Sequence, residues 1–383
     1  MSRRLILLTL ATILVAGLIS AGAGAGRTQS AARSFSVGLY DDSITLGAPE
    51  KGFPLMHNLR AQVVRVTLFW RGVAGTKRPV NPTNPADPAY DWFAYDRAVQ
   101  YAAKYKIKVL FSVVGTPAWA NGRRAPRYAP TKPKDLQNFA AAAAKRYSGT
   151  FKPTTDGPAL PSVHLWLAWN EPNNPVFLYP QYKRVHGRWV PLSAFSYAQI
   201  CNAIYDGVHA VQHGAAKVAC GGTDPRGNNQ PRSRRASISP LAFLRMVKRY
   251  HLRRFDAWAH HPYAARPSQK PTTKPPSAKT SIILGNLGDL VKEVTRLYGN
   301  KRIWITEYGY QTRPPDRTFG VSWKAQAKYL AQAFSIARKN RRVDMMIWFL
   351  VKDERRLGGW QSGFFTAGGH RKPSYTAFRR LRH

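Results

Sequence analysis

The chain is short of sulfur and of acid. Of its 383 residues two are cysteine, and 19 Asp and Glu stand against 59 Lys and Arg. Two cysteines, Cys201 and Cys220, cannot build a disulfide scaffold, and their spacing matches no zinc site. No HExxH, Walker or GxGxxG pattern stands in a proper context, and Gly221 and Gly222 alone do not make a phosphate cradle. The expectation is therefore an activity without metal or cofactor. Zinc-finger spacing, an RNA-binding aromatic signature and a basic region with heptads are missing too, and the positive charges are strewn along the chain. The net charge of +40 thus does not read as specific nucleic-acid binding. There is no Gly/Ser linker and no fixed repeat, which argues for one domain. With 44% hydrophobic residues the chain can bury a sizeable core, so disorder is not the default.

What is present begins at the N-terminus. Arg3 and Arg4 precede an apolar run from Leu5 to Ile19, and small residues follow at Ala21, Ala23 and Ala25. That is the layout of a secretory signal peptide over residues 1–25, its apolar part short for a membrane span, with an uncleaved anchor as the alternative. The protein is expected outside the cell or in its envelope, with no membrane span once the signal is cleaved. An oxidising compartment allows Cys201 and Cys220 either to form one bridge or to stay as two buried thiols. The positive charge is either a means of attracting an anionic partner or surface decoration.

Eight strand-like runs alternate with helical patterns. The runs are Ser34–Tyr40, Val63–Trp70, Val109–Val114, the stretch ending at Ala168, Val218–Gly221, Phe255–Tyr263, the stretch from Arg302, and Met345–Val351. Helices are expected from Asp91, with Trp92, Tyr95, Val99 and Ala102 at helical spacing, and over 135–147, 195–212, 240–251, 288–298, 322–339 and 373–382. Pro175–Pro191 reads as a long insert. Strands interleaved with helices predict the α/β class and a closed (β/α)8 TIM barrel, one catalytic domain over 26–383. Trp70, Trp169 and Trp304 are expected in the core.

Two of these runs end on a carboxyl group. HLWLAWNEPNN stops at Asn170, Glu171 and Pro172, and RIWITEYGYQT carries Glu307 after Ile303, Trp304 and Ile305. In a parallel barrel the C-terminal strand ends carry the active site. A carboxyl half-buried there has its pKa raised toward the range a general acid needs. Two carboxyls facing one sugar suit glycoside hydrolysis.

AWNEPN and WITEYG resemble the acid/base and nucleophile strands of clan A glycoside hydrolases, the retaining (β/α)8 enzymes that include family 5 cellulases and family 39 xylosidases. The resemblance implies Glu171 as acid/base, Glu307 as nucleophile, and Asn170 as a hydrogen-bond partner of the sugar 2-hydroxyl. It implies that Arg65, in the second strand, keeps Glu307 ionised. His261 and Tyr263, two apart and so on one face, would approach Glu171 and Glu307 respectively. Trp348 resembles the platform under the reacting sugar, and Trp119, in GTPAWA, would line the same cleft. The partner is then a carbohydrate, anionic if the charge is recognition, met by a monomer. The alternative is an idle barrel that binds envelope glycans or other polyanions. Basic residues cluster after strands three (Arg123, Arg124, Arg127, Lys132), five (Arg226, Arg232, Arg234, Arg235) and six (Arg266, Lys270, Lys274, Lys279), so the cleft rim is expected to be positive.

Overall fold

Strands buried on both faces read as continuous apolar runs, and when helices separate them they pair in parallel. The computed structural model describes residues 35–267 and 269–382; the expected signal peptide, and Ser34 at the start of the first strand, lie outside the described residues. Residues 35–383 form one unit. Its barrel strands are β1 (Ser36–Tyr40), β2 (Val63–Phe69), β3 (Lys108–Val114), β4 (Leu165–Ala168), β7 (Lys217–Thr223), β8 (Ala257–His260), β9 (Arg302–Tyr308) and β10 (Val343–Phe349), with a hairpin, β5 (Lys183–Val185) and β6 (Arg188–Val190), between β4 and β7. The eight close in the order β1-β10-β9-β8-β7-β4-β3-β2, every neighbour parallel. The α/β class and the (β/α)8 barrel expected from the sequence are what the chain adopts.

The barrel interior is filled by Val63, Leu110, Leu167, Ala219, Ala257, Ala259, Trp304, Met345 and Ile347. The alanines make room for the indole of Trp304. Gly38 is needed at the β1–β2 seam, because a Cβ there would sit 2.6 Å from a Val63 methyl and 2.9 Å from Ile347. A second, larger apolar layer lies between strands and helices and takes up Trp70 and Trp169, both buried as expected. Cys201 and Cys220 are bridged, their Cα atoms 6.0 Å apart, which ties the helix Leu192–Gln212 to β7. Among the described residues no helix is long and apolar enough to cross a membrane.

Three features depart from the pattern reading. The insert Pro175–Pro191 contains the hairpin, turned by His186 and Gly187, both at positive φ, as a two-residue turn between twisted strands requires. A helix over Pro49–Asn58 packs Phe53 and Met56 into the core; two prolines and a glycine in ten residues hid it, although proline is well placed at its first position. The sixth barrel strand stops at His260, short of Tyr263, because Pro262 has no N–H to continue a ladder. Asp91 does serve the helix Phe93–Lys104, its carboxylate accepting from the Phe93 N–H at 3.0 Å.

Candidate active site

Glu171 and Glu307 reach the barrel mouth by different backbone devices. After β4 the chain twists through Trp169 (φ 67°) and Glu171 (φ 39°), left-handed conformations that L-residues avoid. The Glu171 N–H, donating to Gly222 O at 2.8 Å, holds the twist in place. On β9, Ile305 pairs Met346 and Tyr308 pairs Trp348, so β9 holds one residue more than β10 between these pairs. This bulge breaks the alternation, and Thr306 and Glu307 both turn toward the mouth; re-aiming a side chain is what bulges do beside active sites.

Arg65, fully buried on β2, organises the pair. Its Nη1 donates to Glu307 Oε2 at 2.9 Å and to Thr306 O at 3.2 Å. Its Nη2 donates to Asn170 Oδ1 at 2.6 Å and to Ser112 Oγ at 3.3 Å, and the guanidinium lies 4.4 Å over the Tyr40 ring. Asn170 thereby spends its oxygen on Arg65 and keeps its amide N–H groups for a ligand. Tyr263 OH donates to the other oxygen of Glu307 at 2.9 Å. His261 Nδ1 lies 2.9 Å from Glu171 Oε1, while its Nε2 faces Thr306 Oγ1 at 3.0 Å and Arg65 Nη1 at 3.3 Å. Arginine only donates, so the neutral imidazole accepts at Nε2 and carries its proton on Nδ1, pointing at Glu171. His261 and Tyr263 thus stand beside the carboxyls the sequence assigned to them.

The electrostatics separate the two glutamates. Burial pushes Glu171 well above the ordinary carboxyl range, helped by the charges of Asp224 and Glu307. Burial also raises Glu307, against the Arg65 guanidinium and the Tyr263 hydroxyl, which pull it down. Arg65, expected to keep Glu307 ionised, works against that burial and limits the rise. His261 is held well below its usual pKa by burial and then by Arg65, and so stays neutral. One oxygen of Glu171, one of Glu307 and a nitrogen of His261 all lie within 4.8 Å of one another, the one such cluster among the described residues. A metal ion there would have to displace Arg65 from Glu307 Oε2, so this donor set fits a sugar better than a cation.

Two aromatic expectations are not met. Trp348 faces away from the mouth, stacked on Phe364 with its Nε1 donating to Ser362 O at 2.9 Å. Met345 and Ile347 point inward on the same strand, and alternation therefore sends Trp348 outward. Trp119 lies edge-on to Trp70 with Arg78 4.7 Å over its ring, joining the helix layer and not the residues around Asn170. Half-buried Phe349 and Trp360 occupy the mouth instead: Trp360 packs 5.2 Å from Tyr263 and 5.4 Å from Phe349, which is 5.1 Å from Tyr40. Phe349 was legible from the parity of β10; nothing local marks Trp360, which returns from a long loop. Asp224, just past β7, was also missed, although it ends a strand as Glu171 does. It accepts from Asn174 Nδ2 at 2.9 Å and from the Arg226 N–H at 2.8 Å.

Two cavities open near the site, one past Asn174 and Asp224 and one beside Asn170. One, of about 630 Å³, is lined by Asn174, Asp224, Arg226 and Arg235 among others. The other, of about 310 Å³, runs from Arg65 and Asn170 to Arg71 and Arg127. Of the basic residues expected at the rim, Arg127, Arg226 and Arg235 line these cavities.

Residues 281–373 match the family described as glycosyl hydrolase catalytic core. No curated protein matches the chain. Among solved structures the chain is similar to a family 39 glycoside hydrolase from the gut symbiont Bacteroides cellulosilyticus, with 20% identity, TM-score 0.60, and 91% of this chain and 63% of that one covered. It is similar to fungal beta-1,4-galactanases at 15% identity and TM-score 0.58, covering 90% and 99%. A family 39 enzyme from Xanthomonas axonopodis pv. citri aligns at 16% identity and TM-score 0.56, covering 90% and 65%. The chain therefore spans a little under two thirds of the two family 39 proteins, and at these identities the likeness speaks for the barrel.

Proposed function

We propose that this barrel, of the clan A glycoside hydrolase type, cleaves O-glycosidic bonds of a polysaccharide or oligosaccharide with retention of configuration, through Glu307 and Glu171. The observation that carries the reading is the approach of the two carboxyl groups, an oxygen of each lying within 4.8 Å of the other. Retaining enzymes hold their carboxyls about 5–5.5 Å apart, whereas inverting ones leave about 6.5–9.5 Å for a water.

Glu307, fixed at both oxygens by Arg65 and Tyr263, attacks the anomeric carbon while Glu171 gives its proton to the departing oxygen. A glycosyl ester on Glu307 results. Glu171, now ionised, takes a proton from water, which displaces Glu307 and restores both groups. His261, donating from Nδ1 to Glu171 Oε1, orients that carboxyl and leaves Oε2 to hold the travelling proton. Asn170, anchored by Arg65, presents its amide to the sugar 2-hydroxyl, a bond that strengthens as the anomeric centre becomes positive. Phe349 and Trp360 offer apolar faces to the ring. Every residue named in the cleft belongs to one chain, which supports a monomer, and the layout of residues 1–25 supports export. An idle barrel has no need of a buried guanidinium bonded to one glutamate and a histidine to the other.

Aryl glycosides with good leaving groups test the roles. Glu307→Ala should abolish glycosyl-enzyme formation, whereas Glu171→Ala should spare the first step. Azide should then accelerate Glu171→Ala and yield a glycosyl azide of retained configuration, and the inverted azide with Glu307→Ala. Swapped outcomes would exchange the roles.

A further inference from the structure

We propose that the smaller cavity beside Asn170 is an anion subsite, and that the glycan cleaved carries a carboxylate or sulfate on the sugar bound there, with Arg71 and Arg127 as its counterions. The inference rests on the glycoside hydrolase reading and names its substrate class. The cavity is continuous from Arg65 and Asn170 to Arg71 and Arg127, so a sugar in it lies against the catalytic network. Its volume, about 310 Å³, falls at the lower end of small-ligand sites, about 300–1,000 Å³.

Unpaired cations are no signal by themselves in a chain with three times as many basic as acidic residues. The placement of these two is. Among the described residues neither has a carboxylate in ion-pair range, unlike Arg78, Arg97, Arg245, Arg254, Arg296 and Arg302 elsewhere on the surface. Both are nevertheless held. Arg127 stacks 4.7 Å over the Tyr179 ring and donates from Nη1 to Pro175 O at 3.4 Å. The stem of Arg71 lies along Gly115, its Cγ 3.8 Å from where a Cβ would stand, and its N–H donates to Gly115 O at 2.9 Å. Two arginines without an ion-pair partner thus line one concavity, where charges of one sign reinforce each other and focus the field on an incoming anion; Arg71 also borders a neighbouring cavity with Asp91. Guanidinium forks match carboxylate and sulfate oxygens two at a time. The larger cavity differs, since Asp224 offsets its arginines.

Binding to the Glu307→Gln protein, which keeps ligands intact, tests this by calorimetry at fixed salt. The probes are an oligogalacturonate, the same oligosaccharide with its carboxyls reduced to alcohols, and a sulfated galactan oligosaccharide. An anionic probe should bind at least about tenfold more tightly than the neutral one, the scale of a charged hydrogen bond. Arg71→Gln and Arg127→Gln should each remove most of that preference while leaving neutral binding within about twofold. Preference for the sulfated over the carboxylated probe identifies the substituent as sulfate. Arg341→Gln removes the same charge at the opposite end of the barrel, ahead of β10, and should change nothing. The subsite is overturned, with the carbohydrate reading intact, if the neutral probe binds as well as both anionic ones or if Arg341→Gln weakens anion binding as much as Arg71→Gln. If no probe binds, the carbohydrate cleft and the subsite fall together.

Discussion

Replacing Arg65 by methionine removes the cation while keeping an unbranched apolar stem. The Arg65 side chain is 1% exposed and that of its partner Glu307 11%, so solvent cannot take the place of the guanidinium. Breaking a buried pair by removing one partner costs about 3–5 kcal/mol, because the other charge is left uncompensated. Glu307 has an escape: its pKa is already raised by burial, and without Arg65 it rises further. A carboxyl whose folded pKa lies above its unfolded value destabilises the fold as pH rises from the unfolded toward the folded pKa. Urea unfolding should therefore find Arg65→Met weakened by about 3–5 kcal/mol at alkaline pH and by less toward acid pH, as Glu307 takes up its proton. The protonated carboxyl is no nucleophile, so the acid limb of kcat/KM should move to higher pH. Its plateau should fall by about 100-fold or more, the cost of losing one preorganised donor. Arg65→Lys should recover part of the stability and little of the rate, since a point charge cannot bridge Glu307 and Asn170 as the planar fork does. Wild-type stability together with an unmoved acid limb would refute the role given to Arg65.

Two further outcomes concern the scaffold. Thiol titration of the unfolded, unreduced protein should find no reactive cysteine, and reduction of Cys201–Cys220, which closes a loop of about 20 residues, should cost roughly 3 kcal/mol on the chain-entropy account; two reactive thiols would contradict the bridge. His260, held neutral between Thr223 Oγ1 and Ile282 O with its pKa lowered to about 4 by burial, binds its proton more readily unfolded than folded. Stability should decline as pH falls from about 6.5 toward 4, by roughly 3 kcal/mol from this group, and His260→Gln should shallow that slope; an unchanged slope would show that other groups set it.

The barrel was legible because parallel strands buried on both faces keep their apolar runs unbroken, so eight runs could be counted and two seen to end on glutamate. His261 and Tyr263 were readable by parity and by resemblance, and Arg65 by resemblance alone; all three lie against the carboxyls. Trp348 failed on parity: inward Met345 and Ile347 predict an outward Trp348 and an inward Phe349. Glu307 itself violates alternation, and only the bulge of β9, invisible in composition, brings it to the mouth. Trp360 arrives through a loop whose path depends on tertiary packing, and the elevation of Glu307 depends on how much water the closed barrel excludes. Neither quantity is local, and local pattern carries no trace of them.

The central claim, a double displacement through Glu307, is tested most directly by following wild-type hydrolysis of an aryl β-glycoside by proton NMR from the first turnovers. The β-anomer of the released sugar should appear first and the α-anomer only later, as mutarotation proceeds. Initial appearance of the α-anomer would mean a single inverting displacement and would contradict the two-step mechanism.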